Sequence, residues 1–166
     1  MKDLLVRVRD RINDAKAAPV TVTRGDGSTV SVDLSYLRRK AEIVGVGAPP
    51  PATLGPDNLP CVFVQAQGRA LIRWAAEQTT AALQVRLVLL VEVVERGGGV
   101  EPRTGRKTVF DLSEDLRLLL DDHRFSAAYD TAFVVADGTA TLAALAEAPF
   151  LVEGTVDLEY TQAVVA

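Results

Sequence analysis

At 166 residues, 48% of them apolar and 24% charged, the chain has the make-up of one ordinary globular domain, large enough to bury a core. No apolar run approaches the roughly 18 residues of a membrane-spanning helix, and a single cysteine, Cys61, excludes an internal disulfide and fits a reducing cytoplasm. The net charge of −4 divides unevenly: residues 1–107 carry +5 and residues 108–166 carry −9. Either a basic part of one copy meets the acidic part of another, or the charges are solvated on separate faces.

Lys2 to Ala17 predicts an amphipathic helix. Leu5, Val8, Ile12 and Ala15 recur at three- and four-residue spacing with Leu4 widening the stripe, and Arg7, Arg11 and Asp14 fall on the opposite side. The helix should stop before Pro19, because the residue before a proline avoids helical backbone. Charges scattered through these first residues leave no continuous apolar run, so no secretory leader is expected.

Two alternating runs follow, Val20 to Thr23 and Val30 to Leu34, joined by Arg24-Gly25-Asp26-Gly27-Ser28. Turn glycines between alternating runs predict a β-hairpin. The Arg-Gly-Asp triplet in it is explained by the turn and has too little specificity to stand as an adhesion motif.

Ser35 to Val46 is ambiguous, with Leu37, Ile43 and Val44 the expected buried members. Gly47 to Pro60 carries five prolines and predicts an irregular connection with polyproline character. Pro60 to Ala66 predicts a short strand, with Cys61, Phe63 and Gln65 on one side and Val62 and Val64 on the other. Leu71 to Leu83 fits a strand or a short helix, with Trp74, the single tryptophan, as a packing residue.

Gln84 to Glu95 is the strand around which the rest is expected to pack. Val85, Leu87, Leu89, Val91 and Val93 form a wholly apolar face, and Gln84, Arg86, Val88, Leu90, Glu92 and Val94 form a mixed one. At twelve residues it is about twice the usual strand length, and it is rich in β-branched residues.

Arg96 to Lys107 reads as a glycine-rich cationic loop bearing Arg96, Arg103, Arg106 and Lys107. It lacks both the Walker spacing and the dinucleotide Gly-x-Gly-x-x-Gly pattern, so phosphate cradling has no motif behind it. A surface loop and a contact with nucleic acid or an acidic neighbour remain as readings. Asp111 to Asp122 predicts the second helix, with Asp111 as N-cap, Glu114 completing a capping-box spacing, and Leu112, Leu116, Leu119 and Leu120 as the buried stripe with Leu118 at its margin.

Tyr129 to Val135 fits a strand ending at Asp137-Gly138, and Thr139 to Glu147 suits either a short helix or a strand. Phe150 to Thr161 alternates again and is expected in the same antiparallel sheet as the central strand. Together the elements predict a single α+β domain over residues 1–166. Its antiparallel or mixed sheet carries two main helices, with a hairpin in the N-terminal half.

No catalytic set emerges. His123 is the lone histidine, so there is no histidine cluster for zinc and no Ser-His-Asp set with any redundancy, and its place after a helix end beside Asp121 and Asp122 reads as a stabilising cation. Cys61 in an alternating strand reads as a small buried hydrophobe. Asp121 and Asp122 are adjacent and point apart, which suits neither acid–base work nor a metal pair. The chain is therefore expected to be no enzyme and to need no cofactor or metal.

The order of elements carries a resemblance. An N-terminal amphipathic helix precedes LPCVFV, the long strand QVRLVLLVEVV, a glycine-rich loop, the leucine helix DLSEDLRLLLDD and a final strand VEGTVDLEYT. This pattern resembles the tail terminator proteins of long-tailed bacteriophages and tail-derived particles. The resemblance implies an α/β fold with helices carried on a mixed or antiparallel sheet. It also implies a homo-hexameric ring that caps the tail tube, halts its growth and offers a head-joining surface.

Implied partners are further copies of the chain, the tail tube protein, a head-completion or connector protein, and DNA passing without sequence specificity; no membrane is involved. The implied location is the virion tail, assembled in the host cytoplasm, with Arg96, Arg103, Arg106 and Lys107 facing either the lumen or a neighbour. Two other readings are another head–tail connector or minor tail protein, and a stand-alone ligand-binding α+β domain.

Overall fold

The alternation of Gln84 to Glu95 builds the spine of the domain. In the computed structural model, which describes residues 1–45, 56–75, 78–96, 99–102, 108–121, 123, 132–137 and 151–164, that segment lies within a longer strand, Gln78–Arg96. In chain order the elements are α1 (Lys2–Ala17), β1 (Val20–Thr23), β2 (Thr29–Val32), β3 (Glu42–Val44), a short 3-10 turn (Pro56–Asn58), β4 (Cys61–Ala75), β5 (Gln78–Arg96), β6 (Gly99–Pro102), α2 (Val109–Leu120), β7 (Ala132–Asp137) and β8 (Leu151–Val164).

The main sheet has the order β3-β4-β5-β8-β7, with β6 folded back on the end of β5. β3 runs parallel to β4 and every other pairing is antiparallel. The expected α+β architecture is observed, with a mixed sheet, two helices on it and a separate N-terminal hairpin of β1 and β2.

The period-two pattern sorts side chains between two faces. Val62, Val64, Leu83, Val85, Leu87, Leu89, Val156, Leu158 and Tyr160 form one cluster with α1 and α2. Leu4, Leu5, Val8, Ile12 and Ala15 come from α1, and Val109, Leu112, Leu116, Leu119 and Leu120 from α2, so both helices cover the same face. The other face holds a second, smaller cluster of Leu59, Cys61, Phe63, Val88 and Leu90.

α1 ends as the proline predicts. Ala18 is extended and its N–H donates to the Asp14 carbonyl at 2.9 Å. The Leu34 N–H then donates to the Ala15 carbonyl at 3.0 Å, tying the end of the hairpin to the last turn of the helix. The hairpin turn is closed by Arg24 and Ser28 (N–H to O, 2.8 Å), with Gly27 at φ 83, a backbone that favours glycine. Asp26 of the Arg-Gly-Asp triplet accepts from the Ser28 N–H at 2.8 Å and the Ser28 hydroxyl at 2.6 Å, and these bonds hold its carboxyl below the usual range.

Several expectations are corrected. The strand expected over Pro60 to Ala66 continues to Ala75, and the ambiguous Leu71 to Leu83 is strand on both sides of residues 76–77, not helix. Gly99–Pro102, expected as part of a mobile loop, is strand, with Val93 opposite Pro102 and Arg96 opposite Gly99. The length of β5 past its neighbours leaves free ladder positions there, and Pro102 is tolerated at the end of such a short strand.

α2 starts two residues before Asp111. Its N-cap is Thr108, whose hydroxyl accepts from the Asp111 N–H at 3.1 Å while Asp111 accepts from the Thr108 N–H at 2.8 Å. The capping box is therefore Thr108 with Asp111, not Asp111 with Glu114. Trp74, expected as a packing residue, and 139–147, expected as a short helix or a strand, fall on side chains or residues outside those described, as does most of the proline-rich connection.

Candidate interaction surface

The four cations singled out from the sequence are not brought together by the described residues. Arg96 is the last residue of β5, where the chain turns into β6, and Arg103, Arg106 and Lys107 lie outside the described residues. Thr108 follows directly and opens α2, and two residues on, Phe110 is 69% exposed. It is the large apolar side chain most open to water among the described residues, and it stands beside the basic segment in sequence.

Register assembles what spacing could not show. Arg86 of β5 lies opposite Asp157 of β8, and its guanidinium donates to both carboxylate oxygens, at 2.7 and 3.0 Å. That fork raises the Arg86 pKa above its ordinary value. One pair further along the same face, the Gln84 amide reaches Glu159 at 3.5 Å. Glu153, Thr155, Asp157 and Glu159 alternate along β8 and are all half-buried, forming an acidic row on the face that carries no helix among the described residues, called the helix-free face below.

Across the sheet from this row, Arg39 lies over the Phe63 ring with its guanidinium carbon 5.7 Å from the centroid, and it pairs with Glu42. Its neighbours Arg38 and Lys40 are exposed. The segment is held from both sides. The Arg38 N–H donates to the Pro60 carbonyl at 3.0 Å, and Asn13 of α1 exchanges two hydrogen bonds with Ala41, at 2.8 and 3.3 Å. Three consecutive cations thus sit on a fixed backbone at the β3 edge of the sheet.

No protein-family model matches the chain, and no curated protein matches it. Any function must therefore be argued from these surfaces.

The remaining titratable groups are structural. Cys61 is buried, and desolvation pushes its thiol up to about 12, which keeps it protonated and unreactive at neutral pH. It belongs to the cluster on the helix-free face, whereas His123 follows α2 on the other face, so the sheet lies between them. His123 corrects its expectation as a stabilising cation, because burial, and secondly the charge of Arg11, lowers its pKa.

Arg11 is not on an open polar side as its helical position implied. It is half-buried, its Nε has no hydrogen-bond partner among the described residues, and burial lowers its pKa. Tyr36 links the chain after the hairpin to α2 through a 2.7 Å hydrogen bond to Asp115, and burial with that partner raises its pKa. Among the described residues there is no group of three metal-ligating side chains, and no helix is long and apolar enough to span a membrane.

Proposed function

We propose that this chain is a structural tail protein that assembles with further copies of itself into a ring capping a bacteriophage-type tail tube. The ring stops the growth of the tube and presents the surface to which a head-completion or connector protein joins. The observation that carries the reading is the folding of the ordered elements. The N-terminal helix, the long central strand, the leucine helix and the final strand come together as a mixed sheet carrying helices, as the resemblance implies, and both helices pack on a single face. A helix-free face bearing charge of both signs supports assembly, because a ring needs two different complementary patches on each copy.

In this reading Arg96, Arg103, Arg106 and Lys107 face the lumen and meet passing DNA through phosphate contacts without base readout. Light scattering across a concentration series, with negative-stain images, tests the ring directly: particles of about six copies with a central hole are expected. Protein that stays monomeric throughout and does not bind the ends of purified tail tubes overturns it. Reversal of the four cations to Glu is expected to spare ring assembly and impair head joining or DNA passage. Full function of that variant would remove them from the lumen.

A further inference from the structure

The charge asymmetry of the sequence has a spatial counterpart on the helix-free face of the sheet. Glu42 of β3 lies opposite Phe63 of β4, Phe63 opposite Val88 of β5, and Val88 opposite Thr155 of β8. The cationic segment Arg38-Arg39-Lys40, anchored by Arg39 over Phe63, therefore stands at the same height as the centre of the acidic row Glu153, Asp157 and Glu159. From β3 to β8 there are three strand steps, a separation of roughly 14 Å at the usual inter-strand spacing. That is too far for the two groups to pair within one copy.

Each group is also partly balanced. Glu42 pairs with Arg39 in the first, and Arg86 pairs with Asp157 and also feels the charge of Glu153 in the second, so the first group keeps a positive surplus on the exposed Arg38 and Lys40 and the second a negative one shared by Glu153 and Glu159. At the level of Glu153 and Thr155, β8 is the outermost described strand, because the pairing of β7 ends where Asp137 meets Val156.

We infer that the two sides of this face form a head-to-tail interface between copies of this chain, in which Arg38 and Lys40 at the β3 edge of one copy meet Glu153 and Glu159 on β8 of the next; the strip between them, Cys61, Phe63, Val88 and Leu90, is already buried within one copy. The occupant is a second copy because the complementary charges lie on opposite sides of one sheet at one height, so a lateral step perpendicular to the strands brings Arg38 and Lys40 up to Glu153, with Glu159 one strand further in, opposite Phe133 of β7. Such an interface is heterologous: it closes into a ring or propagates, according to its rotation. Opposite charges also favour the correct register over the face-to-face pairing of two acidic rows. The inference rests on the ring reading and names the surfaces that would build it.

The test is sedimentation velocity over a concentration series at low and high salt, on the wild type and two variants. One carries Glu153→Lys with Glu159→Lys, the other Arg38→Glu with Lys40→Glu; the corresponding Gln variants replace any that fail to fold by thermal unfolding. Wild type is expected to associate, more strongly at low salt. Each variant alone should lose roughly tenfold or more in affinity, and an equimolar mixture of the two reversals should recover it. Rings that persist in both variants overturn this interface and leave the ring reading standing. A loss that mixing does not restore overturns the interface as well. Wild type and mixture that remain monomeric at every concentration and salt overturn the interface and the self-assembly it rests on.

Discussion

Leu87→Ala should destabilise the domain by about 2–5 kcal/mol, the range for emptying a leucine site in a packed core. Leu87 is fully buried at the middle of β5, with Val64 on one side and Val156 on the other, both also fully buried. All three belong to the cluster with α1 and α2, so the cavity would open where sheet and helices meet and neither layer can collapse alone. Against a usual total of about 5–15 kcal/mol the loss is severe. At roughly 2–4 °C per kcal/mol it is large enough to read in a thermal scan.

The informative control is Arg86→Gln one residue earlier. The Arg86 and Asp157 side chains are 38% and 31% exposed, so water screens the fork and its removal should cost only about 0–1 kcal/mol. Urea unfolding of both variants decides the matter. Equal costs would mean that the helix-covered face is not the main source of stability.

That contrast also explains which parts of the fold could be read in advance. The bounds of α1 and the presence of β5 and β8 in one sheet follow from unbroken periodicity, which fixes the buried face before any partner is known, whereas their direct pairing is a matter of register. β4 was legible only up to a β-bulge. Val64 lies opposite Leu87, but past the register shift between Ala66 and Gly68 it is Leu71 that lies opposite Ala81. Odd-numbered β4 residues thus replace even-numbered ones opposite the odd-numbered β5 residues, and a period-two reading loses the strand at that point.

β3 has three residues and is held by a parallel partner, so its pattern is too short to see. At the start of α2, Asp111 reads as the cap from its spacing to Glu114, a spacing that Thr108, the observed cap, shares with Asp111. The burial of Val109 favours the earlier one, and that is a tertiary fact. At the surface, the cations of Arg96 to Lys107 were visible as composition. The Arg86–Asp157 fork and the placement of Arg39 over Phe63 depend on register between segments far apart in sequence.

The start of α2 is also where a single methyl group should matter most. Gly154 of β8 lies opposite Leu89, beneath the first residue of the helix, and a Cβ there would come within 2.6 Å of Val109 Cγ2. Val109 is β-branched and nearly locked to one rotamer in a helix, so it cannot swing aside; the first turn of α2 has to lift instead. Glycine in a strand normally weakens it, and replacement by alanine should gain about 0.5–1 kcal/mol through the unfolded chain. Overpacking of this kind costs about 1–3 kcal/mol and is expected to outweigh that gain.

Gly154→Ala should therefore be net destabilising, and Gly154→Val more so. Val109→Ala combined with Gly154→Ala should cost less than the two single changes added together, with a coupling of about 0.5 kcal/mol or more. A double-mutant cycle in urea measures it, and a neutral or stabilising Gly154→Ala would refute the close approach of helix and strand.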